Sequence, residues 1–296
     1  MNEVKVYHYD AFSTIPNKGN PAGVVLDTDG LAEKDMQNIA RQAGFSATAF
    51  VLDSDTADFR LKYFTPGHEI NLCGHATVAA LFALKQEGKA GLYNVINIET
   101  NVGVLPIEII NDNNETRIKM KQENPQFISF HGDVERLCHS IGLSVSELDS
   151  RYPIVYGSTG IWTLLIPVKS LVSFKRMTPN NDAFPNILIE NSRASLHPFS
   201  LETIDKNALM HARHFSSPYS GTVEDPVTGT ASGVMGAYYL TYIKPGLHKA
   251  EFIVEQGQEI NRDGRVKVEV CRVAPQQMDI YISGTAVSVN EFHVIM

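Results

Sequence analysis

Cys73-Gly74-His75-Ala76-Thr77 opens an apolar stretch over 76–86, and Glu224-Asp225-Pro226-Val227-Thr228-Gly229-Thr230-Ala231-Ser232-Gly233 opens another over 234–242. The glycine-led starts Gly74-His75-Ala76-Thr77 and Gly229-Thr230-Ala231-Ser232 stand 229 − 74 = 155 residues apart in a chain of 296. Motifs repeated about half a chain apart point to a fold built twice. Two further echoes keep the same order. Gly103-Val104-Leu105-Pro106-Ile107-Glu108-Ile109 matches Gly264-Arg265-Val266-Lys267-Val268-Glu269-Val270, 264 − 103 = 161 apart. Gly19-Asn20-Pro21-Ala22-Gly23, read as a turn before a strand, matches Gly157-Ser158-Thr159-Gly160 before another, 157 − 19 = 138 apart. Two duplicated halves follow: residues 1–122, completed by a strand at 285–296, and residues 123–284, with Asn124-Pro125 punctuating the joint.

Outward from these motifs, the first half reads as two opening strands, a helix over 31–43 stopped by Gly44, and strands at 48–52 and 59–64. Beyond the helix over 76–86 come strands near 95–100, 103–109 and 116–120. A hydrophobic fraction of 43% and a charged fraction of 20% exclude disordered, collagen-like and low-complexity classes. Lysine and arginine against aspartate and glutamate give 25 − 33 = −8. With no basic tract, nucleic acid is not an expected partner. Cys73, Cys138 and Cys271 are an odd count without metal-like spacing, which fits a reducing cytosol rather than a disulfide or zinc framework. The N-terminus alternates like a strand from Met1 to Tyr9 and lacks an export signal's basic start and apolar core. The longest apolar run, over 79–84, cannot span a bilayer.

The chemistry concentrates at the two glycine-led helix starts. A helix N-terminus presents unpaired N–H groups with a partial positive charge, so it binds anions. Two such ends facing one cleft would hold a carboxylate and stabilise the charge that develops when a neighbouring proton leaves. The competing reading is that small residues there only permit close helix packing. Titratable neighbours favour the functional reading: Cys73 and His75 at the first start, Asp225 at the second. A thiol at a helix end can exchange a proton, and a histidine with an aspartate can share acid and base duties. Cys138 falls at helical spacing with Val134, Leu137 and Ile141 and reads as core. His211 and His214 have a spacing a metal could use, but no further ligand is apparent, so no metal is expected. Tyr238, Tyr239 and Tyr242 read as a packing face or subunit contact. No dinucleotide, Walker or G-x-S-x-G signature occurs.

Taken with Asp10-Ala11-Phe12, Gly19-Asn20-Pro21-Ala22-Gly23 and Phe64-Thr65-Pro66, the two helix-start motifs make the chain resemble, almost end to end, the PhzF-like family of phenazine-biosynthesis isomerases. That family shares the diaminopimelate epimerase fold. The resemblance implies an α+β fold of two similar domains, each a curved, mainly antiparallel sheet or barrel around a central helix. It also implies a substrate cleft between them, no cofactor, and a cytoplasmic homodimer acting on a small carboxylate in a biosynthetic process. His75 with Gly74 would form the first anion and acid/base site. Asp225 would serve the second, with Gly229 and Thr230 as its cradle, and Asn20, Ala76 and Ala231 would line the substrate. The epimerases carry a cysteine at both helix-end turns, whereas here Cys73 fills one and Thr228 the other, against a two-thiol racemase. The family's principal acid/base is a glutamate in a Ser-Glu-Thr segment. Here the segment reads Ser46-Ala47-Thr48, and alanine carries no proton. Three accounts of Ala47 stand open: an engineered inactive variant, a natural member using Cys73, His75 or a bound water, or a non-catalytic binding or scaffold protein of the same fold.

Overall fold

The computed structural model describes residues 3–91, 94–112 and 115–296. In chain order its elements begin with β1 (Glu3–Ala11), β2 (Asn20–Val25), α1 (Glu33–Ala43), β3 (Thr48–Leu52), β4 (Phe59–Phe64), β5 (Glu69–Ile70) and α2 (Gly74–Gln86). There follow β6 (Val95–Thr100), β7 (Gly103–Asp112), β8 (Glu115–Lys121), β9 (Gln126–Ser129), α3 (Val134–Ser140), β10 (Val155–Ser158), β11 (Trp162–Pro167) and α4 (Leu171–Phe174). The chain ends with β12 (Ser195–Ser200), β13 (Met210–Ala212), α5 (Gly229–Tyr238), β14 (Lys249–Gln256), β15 (Gly264–Ala274), β16 (Gln277–Gly284) and β17 (Ala286–Ile295). Contacts divide it into two units, Met1–Met120 with Ser283–Met296, and Lys121–Ile282.

Each unit is α+β, and the pairing of its strands follows one series. In the first unit the order β17-β1-β2-β3-β4-β6-β7 runs antiparallel, antiparallel, parallel, antiparallel, parallel, antiparallel. In the second, β9-β10-β11-β12-β13-β14-β15 repeats that series step for step. α2 lies between β5 and β6, and α5 between β13 and β14. The parallel steps need crossovers, which α1 and α2 provide in the first unit, so each sheet is mixed.

The two internal helices form because their sequences are apolar on all sides, the pattern of a helix buried all round. α2 is buried at Ala76 to Ala80 and again at Leu81, Ala83 and Leu84, and packs on β1, β2, β3 and β17. α5 is buried from Ala231 to Tyr238 and packs on β10 and β15. Gly236 lets it come that close, because a Cβ there would stand 2.7 Å from Val268 Cγ1. By contrast α1 is amphipathic: Met36, Ile39 and Ala40 join Val4, Val6, Val25, Phe50 and Phe64 in one core. Gly44, at φ 74°, stops it in the left-handed conformation.

Several sequence expectations need adjustment. The helix over 31–43 starts at Glu33, with Asp35 Oδ2 accepting the Ala32 N–H at 3.0 Å. The one over 76–86 starts two residues earlier, at Gly74. The stretch over 234–242 starts at Gly229, is α-helical to Tyr238, and continues as a π turn over Tyr239–Ile243. Asn20-Pro21-Ala22-Gly23 is strand rather than turn, pairing with Ala11, Asp10, Tyr9 and His8. Gly157 lies inside β10, so the third echo set β2, third in its series, against β10, second in its own; the residue that precedes β11 at positive φ is Gly160. The expected alternation at Met1 and Asn2 lies outside the described residues. No helix of the described residues is long and apolar enough to cross a membrane.

Candidate active site

In the first unit, the strand β4 and the turn after β5 deliver Cys73 as the residue preceding α2, in extended conformation. Thr77 fixes this start: its N–H and hydroxyl both donate to Cys73 O, at 2.9 and 2.8 Å, and its Oγ1 sits 2.7 Å from the buried Tyr63 hydroxyl. Burial pushes the Tyr63 phenol far up, so it stays neutral. Cys73 is buried and its Sγ lies 3.4 Å from His75 Nδ1. The same Sγ lies 3.7 Å from His75 Nε2, and Ser46 Oγ lies 3.4 Å from that nitrogen. Ser46 directly precedes Ala47, which is 1% exposed and whose carbonyl accepts the Gly23 N–H at 3.2 Å. The structure therefore gathers Cys73, His75 and the segment of Ala47 around the N-terminus of α2. Gly74 is half-buried, Ala76 is buried one residue into the helix, and Asn20 is fully buried in β2 opposite Ala11.

In the second unit, Thr228 precedes α5 as Cys73 precedes α2. Ser232 Oγ donates to Thr228 O at 2.8 Å, in the place Thr77 holds in the first unit. The Thr228 hydroxyl donates to Asp225 Oδ2 at 2.5 Å. Gln256, at the end of β14 and 1% exposed, ties the turn down from behind. Its Nε2 donates to Asp225 O at 2.7 Å and its Oε1 accepts the Thr228 N–H at 3.2 Å. Gly229 and Ala231 are buried, and the Thr230 carbonyl accepts from Thr159 Oγ1 at 3.0 Å. Neither α2 nor α5 has an acidic residue in its first turn, so the positive end of each helix is not neutralised by its own sequence. His75 stands in the first unit and Asp225 in the second.

The other singled-out residues have structural partners. His211 and His214 do not converge: His211 is held between Glu255 at 2.8 Å and Glu259 at 2.9 Å, while His214 faces His197. Among the described residues no three His, Cys, Asp or Glu side chains cluster as metal ligands do. Cys138 is buried in the core of α3, where burial pushes its thiol up to about 11. Tyr238 stacks with Tyr242 and donates to Pro153 O at 2.7 Å. Sequence reasoning missed Ser46, Thr77, Tyr63 and Gln256. Ser232, four residues after Thr228, repeats the spacing of Thr77 after Cys73 and was a findable signal. Gln256 carried none.

A family model described as phenazine biosynthesis-like protein, PhzC-PhzF, matches residues 9–291. The crystal structure of a Bacillus anthracis phenazine biosynthesis protein of the PhzF family superposes with a TM-score of 0.98 at 56% identity, covering 100% of both chains. The uncharacterized isomerase YfhB of Bacillus subtilis is 49% identical over 97% of both chains. Trans-2,3-dihydro-3-hydroxyanthranilate isomerase of Pseudomonas chlororaphis is 26% identical over 98% of this chain and 100% of its own. With a repeated α+β unit, a helix end at the core of each, and these matches across its length, the chain belongs to the PhzC-PhzF family of isomerase-type, phenazine biosynthesis-like proteins.

Proposed function

We propose that the protein binds a small carboxylate and moves a proton along it without a cofactor, in the manner of a PhzF-type isomerase. The helix end in each unit, that of α2 and that of α5, is suited to a carboxylate, and the proton carrier beside the first would be the Cys73–His75 pair. The observation that carries this reading is the 3.4 Å contact between Cys73 Sγ and His75 Nδ1, beside a segment whose Ala47 has no proton to give. The name of the Pseudomonas relative, an isomerase of a hydroxyanthranilate, supports an unsaturated carboxylate as the substrate class. Removal of a proton beside such a group leaves its electron pair delocalised into the conjugated carboxylate, where helix-end N–H groups stabilise it. We extend the reading to a cytoplasmic homodimer, on the strength of the family resemblance.

Ala47 supports a second reading, a ligand-binding or scaffold protein that kept the site and lost turnover. Deuterium uptake from heavy water into a panel of unsaturated, amino and hydroxy carboxylates, followed by NMR, separates the two. Uptake by the chain as it stands, lost in His75→Asn and Cys73→Ala by ~10² to 10⁴ in rate, is expected for the proposed pair. Uptake only in Ala47→Glu means an intact site without its carrier. Full turnover in His75→Asn refutes the assignment.

A further inference from the structure

The hairpin that leads into α5 sets a histidine of the same unit opposite Asp225. Phe215 bridges Glu224 in antiparallel register, and the Asp225 N–H donates to His214 O at 2.9 Å. His214 and Asp225 are therefore directly opposed, and their side chains leave the ribbon on the same face. Behind His214, the Nδ1 of fully buried His197 lies 3.1 Å from His214 Nδ1, and His197 Nε2 lies 3.0 Å from Met235 Sδ on α5.

These contacts decide both tautomers. A thioether sulfur accepts and never donates, so His197 carries its proton on Nε2. A neutral imidazole has one proton, which makes His197 Nδ1 a bare acceptor. The proton in the 3.1 Å contact then sits on His214 Nδ1, and His214 Nε2 is left with its lone pair. Burial holds His197 well below the usual histidine range, with the His214 ring adding to the effect. Burial lowers His214 as well, against the opposing pull of Asp225, so both rings are neutral at neutral pH. His214 keeps 9% exposure, and its ring makes no other hydrogen bond among the described residues.

We propose that His214 Nε2 is the proton acceptor of the second unit, held in its Nδ1–H form by the His197–Met235 relay and backed by the Asp225 carboxylate. The inference rests on the proposed proton transfer and assigns its second carrier. A substrate C–H bond breaks, its electron pair passes into the conjugated carboxylate, and the proton forms an N–H bond at Nε2. The imidazolium is stabilised by Asp225 and by its Nδ1–H bond to His197. Return of the proton to a different carbon restores the neutral ring, with no net gain or loss of electrons. Asp225 acts as counter-charge, and His197 as a positioning residue.

Ring-15N histidine NMR of the full chain reads the tautomers directly, with His214 assigned by its loss in His214→Asn. The expected result is Nδ1–H for His214 and Nε2–H for His197, with the His214 signature relaxing to a mixture in Met235→Leu. In the deuterium-uptake assay His214→Asn, whose amide still donates to His197, should lose ~100-fold or more in rate. His214→Gln serves as the second variant should His214→Asn fail to fold. An Nε2–H form for His214 overturns the proposal, and so does native-rate uptake in both variants. If neither the native chain nor Ala47→Glu labels any carboxylate, the proposed function falls and takes this catalytic assignment with it. Uptake with the wrong tautomer is the opposite pattern, and refutes the inference alone.

Discussion

Replacing Gln256 by leucine keeps nearly the same buried volume and removes the polar bonds this side chain makes to the turn before α5. Three bonds are lost: Nε2 to Asp225 O at 2.7 Å, Oε1 to Thr228 N–H at 3.2 Å, and Nε2 to Thr228 Oγ1 at 3.3 Å. The first two take the side-chain partner away from a backbone carbonyl and a backbone N–H, and loss of such a bond costs ~1–3 kcal/mol each when the group is buried. Asp225 and Thr228 are only half-buried, so water can reach the freed groups, and the lower end applies to both. A net loss of ~2 kcal/mol follows. Urea unfolding should show it as a midpoint lowered by ~1 M for a slope of ~2 kcal/mol/M. Amide hydrogen exchange should show it locally: opening of 225–229 made easier by ~2 kcal/mol accelerates exchange ~30-fold, since ~1.4 kcal/mol is a factor of ten. Protection of α2, in the other unit, should stay at its native value. An unchanged midpoint together with native protection at Thr228 would refute the argument that this one side chain holds the turn of Asp225.

Two further predictions concern a buried charge in the second unit and packing in the first. Burial opposes a charge on His211, but the hydrogen bonds it donates to Glu255 and Glu259 overcome it and raise the imidazole above its ordinary value; burial likewise opposes charge on the two glutamates, and the bonds from His211, joined by backbone N–H groups, overcome it and lower both. A raised histidine contributes stability that is complete below its unfolded pKa of ~6.5 and is lost as pH rises through the higher folded value. The lowered glutamates contribute stability present above their unfolded range of ~4.3 and lost as pH falls through the depressed values. Unfolding free energy measured against pH should therefore fall on both sides, and His211→Gln should flatten the alkaline side; an alkaline limb that persists in the variant rules out His211 as its source. Gly284 lies flat against the ring of Phe12, itself buried and at φ 64°, and an added Cβ would stand 2.7 Å from Phe12 Cε1 and closer still to Cδ1. Gly284→Ala should cost ~1–3 kcal/mol by urea unfolding, and a stability equal to the native chain would show that Phe12 yields freely.

The helices were legible because their signals are local. α2 and α5 follow glycine-led starts and stay apolar on every side, and α1 has an apolar stripe with Gly44 at its end. Strands β3, β4 and β6 fall at the residues their composition marks. The turn reading of Gly19 to Gly23 failed because Asn20 and Pro21 carry turn propensity, while pairing with β1 overrides it. The π turn after Tyr238 had no sequence mark; there Phe127 meets Tyr238 edge-on and Tyr242 lies tilted against Tyr238.

For the candidate site the division is one of sequence distance. Cys73 with His75, and Asp225 with Thr228, are near neighbours at a helix start, so the sequence alone determined that a titratable side chain accompanies each helix end. It also determined that Ala47 stands in the Ser46-Ala47-Thr48 segment with no ionisable group. Only the tertiary structure decided that Ser46 meets His75 across 29 residues, that Gln256 holds Asp225 across 31, and that Met235 and His197 set the proton on His214. Helix starts and caps are written within four residues because a turn closes its bonds over that span. A tautomer or a tied-down turn depends on groups that meet only after parallel strands and a buried helix have packed, and no local pattern encodes that meeting.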